Sequence, residues 1–540
     1  MSKRAVMVAI LLASIAIALT FAAYTSYTEE DALITLRMSR NFARGNGFVY
    51  NQGEQVLGTT TPLFGLVVGL LALMFGDCLI IAKALGIIAF GVTAVFAYRM
   101  WDDCKRCGLI LSLLVATFPG FLVLAVGGME TMSVVATGVL TAYLCKRGRL
   151  ISAGVAAAVL LMLRLDMAPF VVLCGLWLWI DRREFPKAMA VTTGVIMVVW
   201  LTGLTLYFGT FMPQSAIAKT ALGQQYVTGG YTLLRYIKAY LPSFGQSGAN
   251  ILYTVLICVL ALSGVFRSVQ RRNWWTLFWL VFFIEEALRF SVLHVIPSHW
   301  HRGPASFAFL VLVAQGLYAW ASVLGDLMRR KRWLLRSRAI VLSAGVTIGL
   351  FLLLYNAWGT AWYYRYWQSL YDHSYISIAS FLQTNAGETD RVALEPIGYI
   401  GYYSDRYIIC LVGLVTPVST RLWTESPDGW SVRFFREIEP EFIVYRTLWL
   451  QCNADMIVQG QLFESEEERQ WLMEKYQPVA RYVLDAPPHL AWWLSDLVIL
   501  ARDDRASTLQ TLVGGWAGLE LGSFHAMVNP LNTVFQQDSR

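Results

Sequence analysis

Pro62-Leu63-Phe64-Gly65-Leu66-Val67-Val68-Gly69-Leu70-Leu71-Ala72-Leu73-Met74-Phe75 is apolar from end to end, yet it holds only 14 residues. A helix needs about 20 apolar residues to cross the hydrocarbon core. The segment therefore reads as a helix lying near the interface, and that reading decides the topology of everything after it. Longer apolar runs fall at 5–24, 78–98, 108–125, 131–146, 150–165, 167–180, 188–208, 251–266, 274–294, 304–324 and 337–355. With a cytosolic N-terminus and 62–75 not crossing, the basic loops all fall on the inner side. They carry Arg99, Lys105 and Arg106; Lys146, Arg147 and Arg149; Arg182, Arg183 and Lys187; Arg267, Arg271 and Arg272; and Arg329, Arg330, Lys331, Arg332, Arg336 and Arg338. The positive-inside rule demands this distribution. A crossing at 62–75 would turn every later cluster outward. The pattern predicts a polytopic α-helical membrane protein of about 11 transmembrane helices.

Composition agrees. Of 540 residues, 56% are hydrophobic and 15% charged, and the mean hydropathy is +0.52; a soluble domain does not have this balance. The net charge of +7 follows from the inner loops, and no nucleic-acid arm is present. Lys3-Arg4 before the apolar run Ala5–Ala23 has the pattern of a signal peptide. With so many spans behind it, the run is read as an uncleaved first helix. The expected location is the plasma (inner) membrane, with the N-terminus cytosolic.

Two divisions follow. Residues 1–355 form the membrane part, with outer loops at 25–61 and 209–250. Residues 356–540 form an extracytoplasmic soluble domain. In it a helical pattern at Tyr375–Thr384 precedes β-type runs at Arg391–Leu394, Tyr407–Leu411, Phe442–Tyr445, Val479–Leu484 and Leu497–Ala501. Helix alternating with strand implies an α/β fold.

The outer loops hold the chemistry. Thr28-Glu29-Glu30-Asp31 puts three acids at the mouth of the first span. Ionised groups beside hydrocarbon need a reason. Thr28 and Asp31 have capping spacing, so acids complementing a helix macrodipole are the plain alternative. Along that helix Glu30, Arg37 and Asn41 recur on one face, which suits a sugar or phosphate. Glu130 stands in the tiny loop Gly127–Thr131, where an interfacial acid in water is an equal reading. Arg164 and Asp166 read first as a mutually neutralising bridge and second as ligand contacts. Lys219, His301 and Arg302 are the candidate phosphate cations. Half of the six His lie within 294–301; the spacing gives weak support for a metal. Cys104-x-x-Cys107 lacks the second pair that a zinc site needs. Cys410 and Cys452 lie in the outer domain, where a disulfide is compatible with the compartment.

Several motifs in order carry a resemblance: Glu30-Asp31-Ala32, Arg37, Asn41, Gly45-Asn46-Gly47, Asn51-Gln52-Gly53-Glu54, Thr60 and Pro62-Leu63; Gly128-Met129-Glu130-Thr131; Tyr207-Phe208-Gly209 with Met212-Pro213-Gln214 and Ala218-Lys219; Gly398–Ser404; and Gly413-Leu414-Val415. Together they resemble the GT-C glycosyltransferases, above all the terminal arabinofuranosyltransferase (AftB-like) group. The resemblance implies an inverting transfer of a hexose or pentose from a polyprenyl-phosphate sugar to an acceptor hydroxyl of a cell-envelope glycan, glycolipid or protein. Its acid pair falls on Glu30 and Asp31. The usual pair is Asp-Asp, so Asp31 is the safer general base. Leu57, Leu165, Gln214 and Cys410 also depart from the group's pattern. Protein cations can meet a single-phosphate leaving group, so no cofactor is required, and a divalent cation remains compatible. The competing reading is a multi-span transporter or lipid flippase with a non-catalytic outer domain. Against it, the chain shows neither two related halves nor interrupted helices, and its acids cluster at one face.

Overall fold

The structure, a computed structural model, describes residues 2–101, 104–226, 248–292, 298–330, 335–425, 430–447, 465–483 and 496–509. Residues 227–247 of the loop expected at 209–250 lie outside the described residues, as do His294, Cys452 and Leu484. Each of the eleven apolar runs is mostly helical where described, with extended backbone at Phe118 and Arg164. In chain order the helices are α1 (Lys3–Thr25), α2 (Glu30–Ala43), α3 (Pro62–Phe75), α4 (Cys78–Arg99), α5 (Lys105–Thr117), α6 (Pro119–Val126), α7 (Thr131–Lys146), α8 (Leu150–Leu163), α9 (Ala168–Arg182), α10 (Lys187–Phe208) and α11 (Gln214–Tyr226). Gly248–Gln270, Trp274–Val292, Gly303–Arg330 and Leu335–Asn385 follow. The run 108–125 is a pair rather than one straight span: α5 and α6 meet at 57°. Pro119 opens α6, and its missing N–H and fixed φ favour a break there. Among the described residues, four helices are each long and apolar enough to cross a membrane, or five with the bent pair. The short α3 is not one of them.

The chain groups into two compact units. The first contains Met1–Ala32, Thr60–Phe211 and Val227–Gln368. Its helices approach closely where side chains are small. A methyl group at Gly264 would strike the Leu312 carbonyl, and one at Gly316 the Leu260 carbonyl. Membrane helices pack through such small residues because hydrocarbon gives apolar side chains little drive to associate. Phe170 lies 4.7 Å from Phe282, and Trp279 lies 5.0 Å from Phe307, ring centre to ring centre. Apolar residues also face outward, Leu206 being 83% exposed, as a lipid-facing surface requires.

The second unit contains Leu33–Thr59, Met212–Tyr226 and Ser369–Arg540. Its sheet comprises β1 (Arg391–Leu394), β2 (Tyr407–Cys410), β3 (Phe442–Arg446), β4 (Tyr476–Tyr482) and β5 (Leu497–Arg502). The strand order is β2-β1-β3-β5-β4. β1 pairs parallel with β2 and β3, and β5 pairs antiparallel with β3 and β4. Helices connect the parallel strands, as parallel pairing requires. Ile409, Leu422, Phe434, Phe435, Ile443, Leu472 and Leu500 bury one face. The pattern at Tyr375–Thr384 is the end of the continuous helix Leu335–Asn385. The last stretch of the second unit begins at Ser369.

Candidate active site

The acidic stretch is held in place from three sides. Lys83 of α4 donates to the Tyr27 carbonyl at 2.7 Å, the Thr28 N–H donates to Gln368 Oε1 at 2.9 Å, and the Glu29 N–H donates to the Gly127 carbonyl at 2.9 Å. Helix α2 then begins at Glu30, with Glu30 and Asp31 in its first turn. There their charges complement the four N–H groups that lack helical partners. Glu29 is buried, whereas Glu30 and Asp31 are half-buried.

Glu29 and Asp31 have different surroundings. Glu29 accepts a 2.6 Å hydrogen bond from the Tyr27 hydroxyl and pairs with His299 Nε2 at 2.8 Å. Burial pushes its pKa upward, but the His299 charge and these hydrogen bonds hold it below the ordinary value. Asp31 instead lies within electrostatic reach of Glu130.

Glu130, 4% exposed, precedes α7 in the turn that also holds Gly127. Burial raises its pKa, the charges of Asp166 and Asp31 add to the rise, and Arg164 opposes it. Arg164 and Asp166 stand at the α8–α9 junction and form a forked pair: Nε to Oδ1 at 3.0 Å and Nη2 to Oδ2 at 2.5 Å. The Arg164 charge overcomes burial and holds Asp166 low, helped by His301 and Arg289. His301 and Arg302 belong to the short turn His299–Arg302, and Arg302 and Glu29 are both within electrostatic reach of the Tyr364 hydroxyl.

The first unit thus brings together Asp31, Glu130, Arg164, Asp166 and His301. Sequence reading passed over the Glu29–His299 pair, as well as Glu285, Glu286 and Arg289. Arg289 Nε lies 3.2 Å from Glu285 Oε1, and Glu286 acts electrostatically on Arg164. Three ionisable residues inside the apolar run 274–294 were the available signal.

Arg37 and Asn41 differ from the expectation of sugar or phosphate contact. Arg37, 4% exposed, donates from Nε to the Tyr50 carbonyl at 2.9 Å, from Nη1 to Gly401 at 2.7 Å and from Nη2 to Arg406 at 2.5 Å. Asn41 donates to the Val49 and Tyr50 carbonyls. Nearby, Asn51 exchanges both amide hydrogen bonds with Ile408 on the edge strand β2, at 2.8 and 3.1 Å. Carbonyls of the α/β domain, from Gly401 and Arg406, and of the segment after α2, from Val49 and Tyr50, already take these donors. Gln214, from another of the quoted motifs, bonds the Gly413 carbonyl at 3.1 Å and Thr420 Oγ1 at 2.9 Å. Lys219 is exposed on α11 in this same second unit. Among the described residues, no group of three or more His, Cys, Asp or Glu stands close enough to hold a metal.

Three solved structures share the architecture. ArnT from Cupriavidus metallidurans in the apo state matches at TM-score 0.56 and 13% identity, over 95% of this chain and 100% of that one. The same protein bound to undecaprenyl phosphate matches at TM-score 0.52 and 14% identity, over 93% and 98%. The Archaeoglobus fulgidus oligosaccharyltransferase, in complex with Zn and sulfate, matches at 0.51 and 11%, over 82% and 68%. Residues 362–504 match a family described as a domain of unknown function, DUF8728. No curated protein matches the chain by sequence. The chain has the GT-C fold: a polytopic helical membrane protein with a C-terminal α/β domain.

Proposed function

We propose that this protein is a membrane glycosyltransferase that moves a sugar from a polyprenyl-phosphate donor to an acceptor hydroxyl, with inversion, on the extracytoplasmic face. The observation that carries the reading is Asp31. It is a half-buried carboxylate in the first turn of α2, coupled to the buried Glu130 and, through it, to Arg164 and Asp166. The fold likeness to ArnT, one of whose structures holds undecaprenyl phosphate, supports the lipid-phosphate donor.

In the proposed step the acceptor oxygen attacks the anomeric carbon from the face opposite the phosphate. Asp31 takes the hydroxyl proton as general base. The bond from the anomeric carbon to the phosphate oxygen breaks, and polyprenyl phosphate leaves. His301 and Arg302 offset the charge that grows on it. Glu30 flanks the base, and the carboxylates of Glu130 and Asp166, steadied by Arg164, keep the local field negative where the proton is received. A pentofuranosyl donor and an envelope glycan, glycolipid or protein acceptor follow from the motif resemblance.

Asp31→Asn tests the base. Transfer should fall about 10²–10⁴-fold while the variant elutes and melts like the parent. Parental turnover in that variant would overturn the assignment.

A further inference from the structure

Cys104 and Cys107 lie apart from the acids and cations of the proposed reaction. Their sulfur atoms are 3.0 Å apart, on the first turn of α5. Cys104 is the residue before the helix and is partly exposed, whereas Cys107 is 3% exposed. Tyr318, from the helix Gly303–Arg330, faces Cys104, and Arg267 acts electrostatically on Cys107. Arg267 also stacks over the Tyr318 ring at 5.1 Å. Lys105 and Arg106 sit between the two cysteines in sequence. The pair thus combines an accessible sulfur, a covered sulfur within bonding approach, and cationic surroundings. No third metal ligand joins it among the described residues.

We infer that Cys104 and Cys107 form a thiol–disulfide exchange pair, with Cys104 as the attacking thiol, Cys107 as the resolving thiol and a small soluble disulfide as the co-substrate. The Cys104 thiolate attacks one sulfur of the disulfide, and the first thiol leaves. The Cys107 thiolate then attacks Cys104 Sγ in the mixed disulfide and expels the second thiol. The two cysteines together lose two electrons and two protons, and the soluble disulfide gains both as two thiols. Reaction runs through the thiolate, so the more acidic and more accessible sulfur attacks. The surroundings of Cys104 fit that part. Burial raises its pKa, but the Cys107 thiol, the Cys107 and Arg106 amides and the Tyr318 hydroxyl bring it below the ordinary value. The charge pattern assigns this loop to the cytosolic face, where disulfides that form are transient and belong to catalysis or sensing. Lys105, Arg106 and Arg267 favour a disulfide that carries carboxylates.

The test uses the purified full chain in detergent and oxidised glutathione as the probe. After quenching with an alkylating reagent, peptide mass mapping should find a Cys104–Cys107 disulfide in the parent. Cys107→Ser should accumulate one glutathione adduct on Cys104, and Cys104→Ser should leave Cys107 unmodified. Alkylation of the reduced parent should run at least about tenfold faster at Cys104 than at Cys107. The mapping and the rates need no variant, so they stand even if a variant misfolds. Both cysteines remaining alkylatable after oxidation, or an adduct that favours Cys107, would overturn the inference.

Discussion

Two buried arginines divide the molecule by use. Arg37, in the second unit, is 4% exposed, and Arg164, in the first, is 6% exposed. Arg37 points its fork at neutral carbonyls from Tyr50, Gly401 and Arg406 and stacks at 4.3 Å over the Tyr50 ring. Arg164 points its fork at the Asp166 carboxylate, with Glu130 in electrostatic reach. Carbonyls occupy a guanidinium's donors without titrating. Such an arginine therefore fixes structure, here by fastening α2 and the segment through Tyr50 to the α/β domain. Acids make the other arginine part of a charge system whose balance follows protonation and ligand. Burial alone does not separate a cation spent on carbonyls from one tied into a charge system; the identity of the acceptor does.

Substitutions can break that contrast. Arg37→Ala removes a donor from three carbonyls, of which that of Tyr50 keeps the Asn41 amide, and should cost about 3–5 kcal/mol of stability in the second unit, read as an earlier thermal transition. Arg37→Lys should recover little, because an ammonium lacks the planar fork. Arg164→Gln should be milder for stability, about 1–3 kcal/mol, since the Asp166 side chain is 36% exposed. It should nonetheless raise the pKa of Asp166 and shift the acid limb of the activity profile upward. Equal stability losses with no profile shift would erase the distinction between the two arginines.

The Glu29–His299 pair gives a pH test. The folded pKa of Glu29 lies below its ordinary 4.5. Its contribution is therefore fully present above about pH 4.5 and lost as pH falls through the folded value. Glu29→Gln should flatten that part of the stability curve, and an unchanged acid limb would show that the pair adds nothing. The smallest effect belongs to Asp405, which binds Arg40 at 2.8 Å and Arg44 at 2.7 Å near the surface. Asp405→Asn should cost about 1 kcal/mol or less, and added salt should shrink the difference from the parent.

Much of this was legible along the chain. Apolar runs of bilayer length gave the helices, and β-branched clusters such as Tyr-Ile-Ile-Cys at 407–410 gave the strands. Asp31, Glu130, Arg164, Asp166 and His301 stand out along the chain as ionisable residues against apolar neighbours, and the fold brings them within electrostatic reach of one another. The sequence did not show which acceptors Arg37 and Asn41 meet. Helical spacing tells which residues share a face, but not that the face meets carbonyls of Gly401 and Arg406, more than 350 positions on. Backbone acceptors leave no mark in side-chain pattern. The pairing of Glu29 with His299 was hidden likewise, since two neighbouring histidines in one turn look equivalent until their directions are known.

The most direct measurement incubates the purified protein with a panel of polyprenyl-phosphate sugars and acceptor glycans and follows the release of polyprenyl phosphate. At least one donor should release it in step with glycosylated acceptor, and the new linkage should be inverted at the anomeric carbon. Intact donors across the panel, with the same lipids instead moved between the leaflets of a vesicle, would contradict a transferase and favour a flippase.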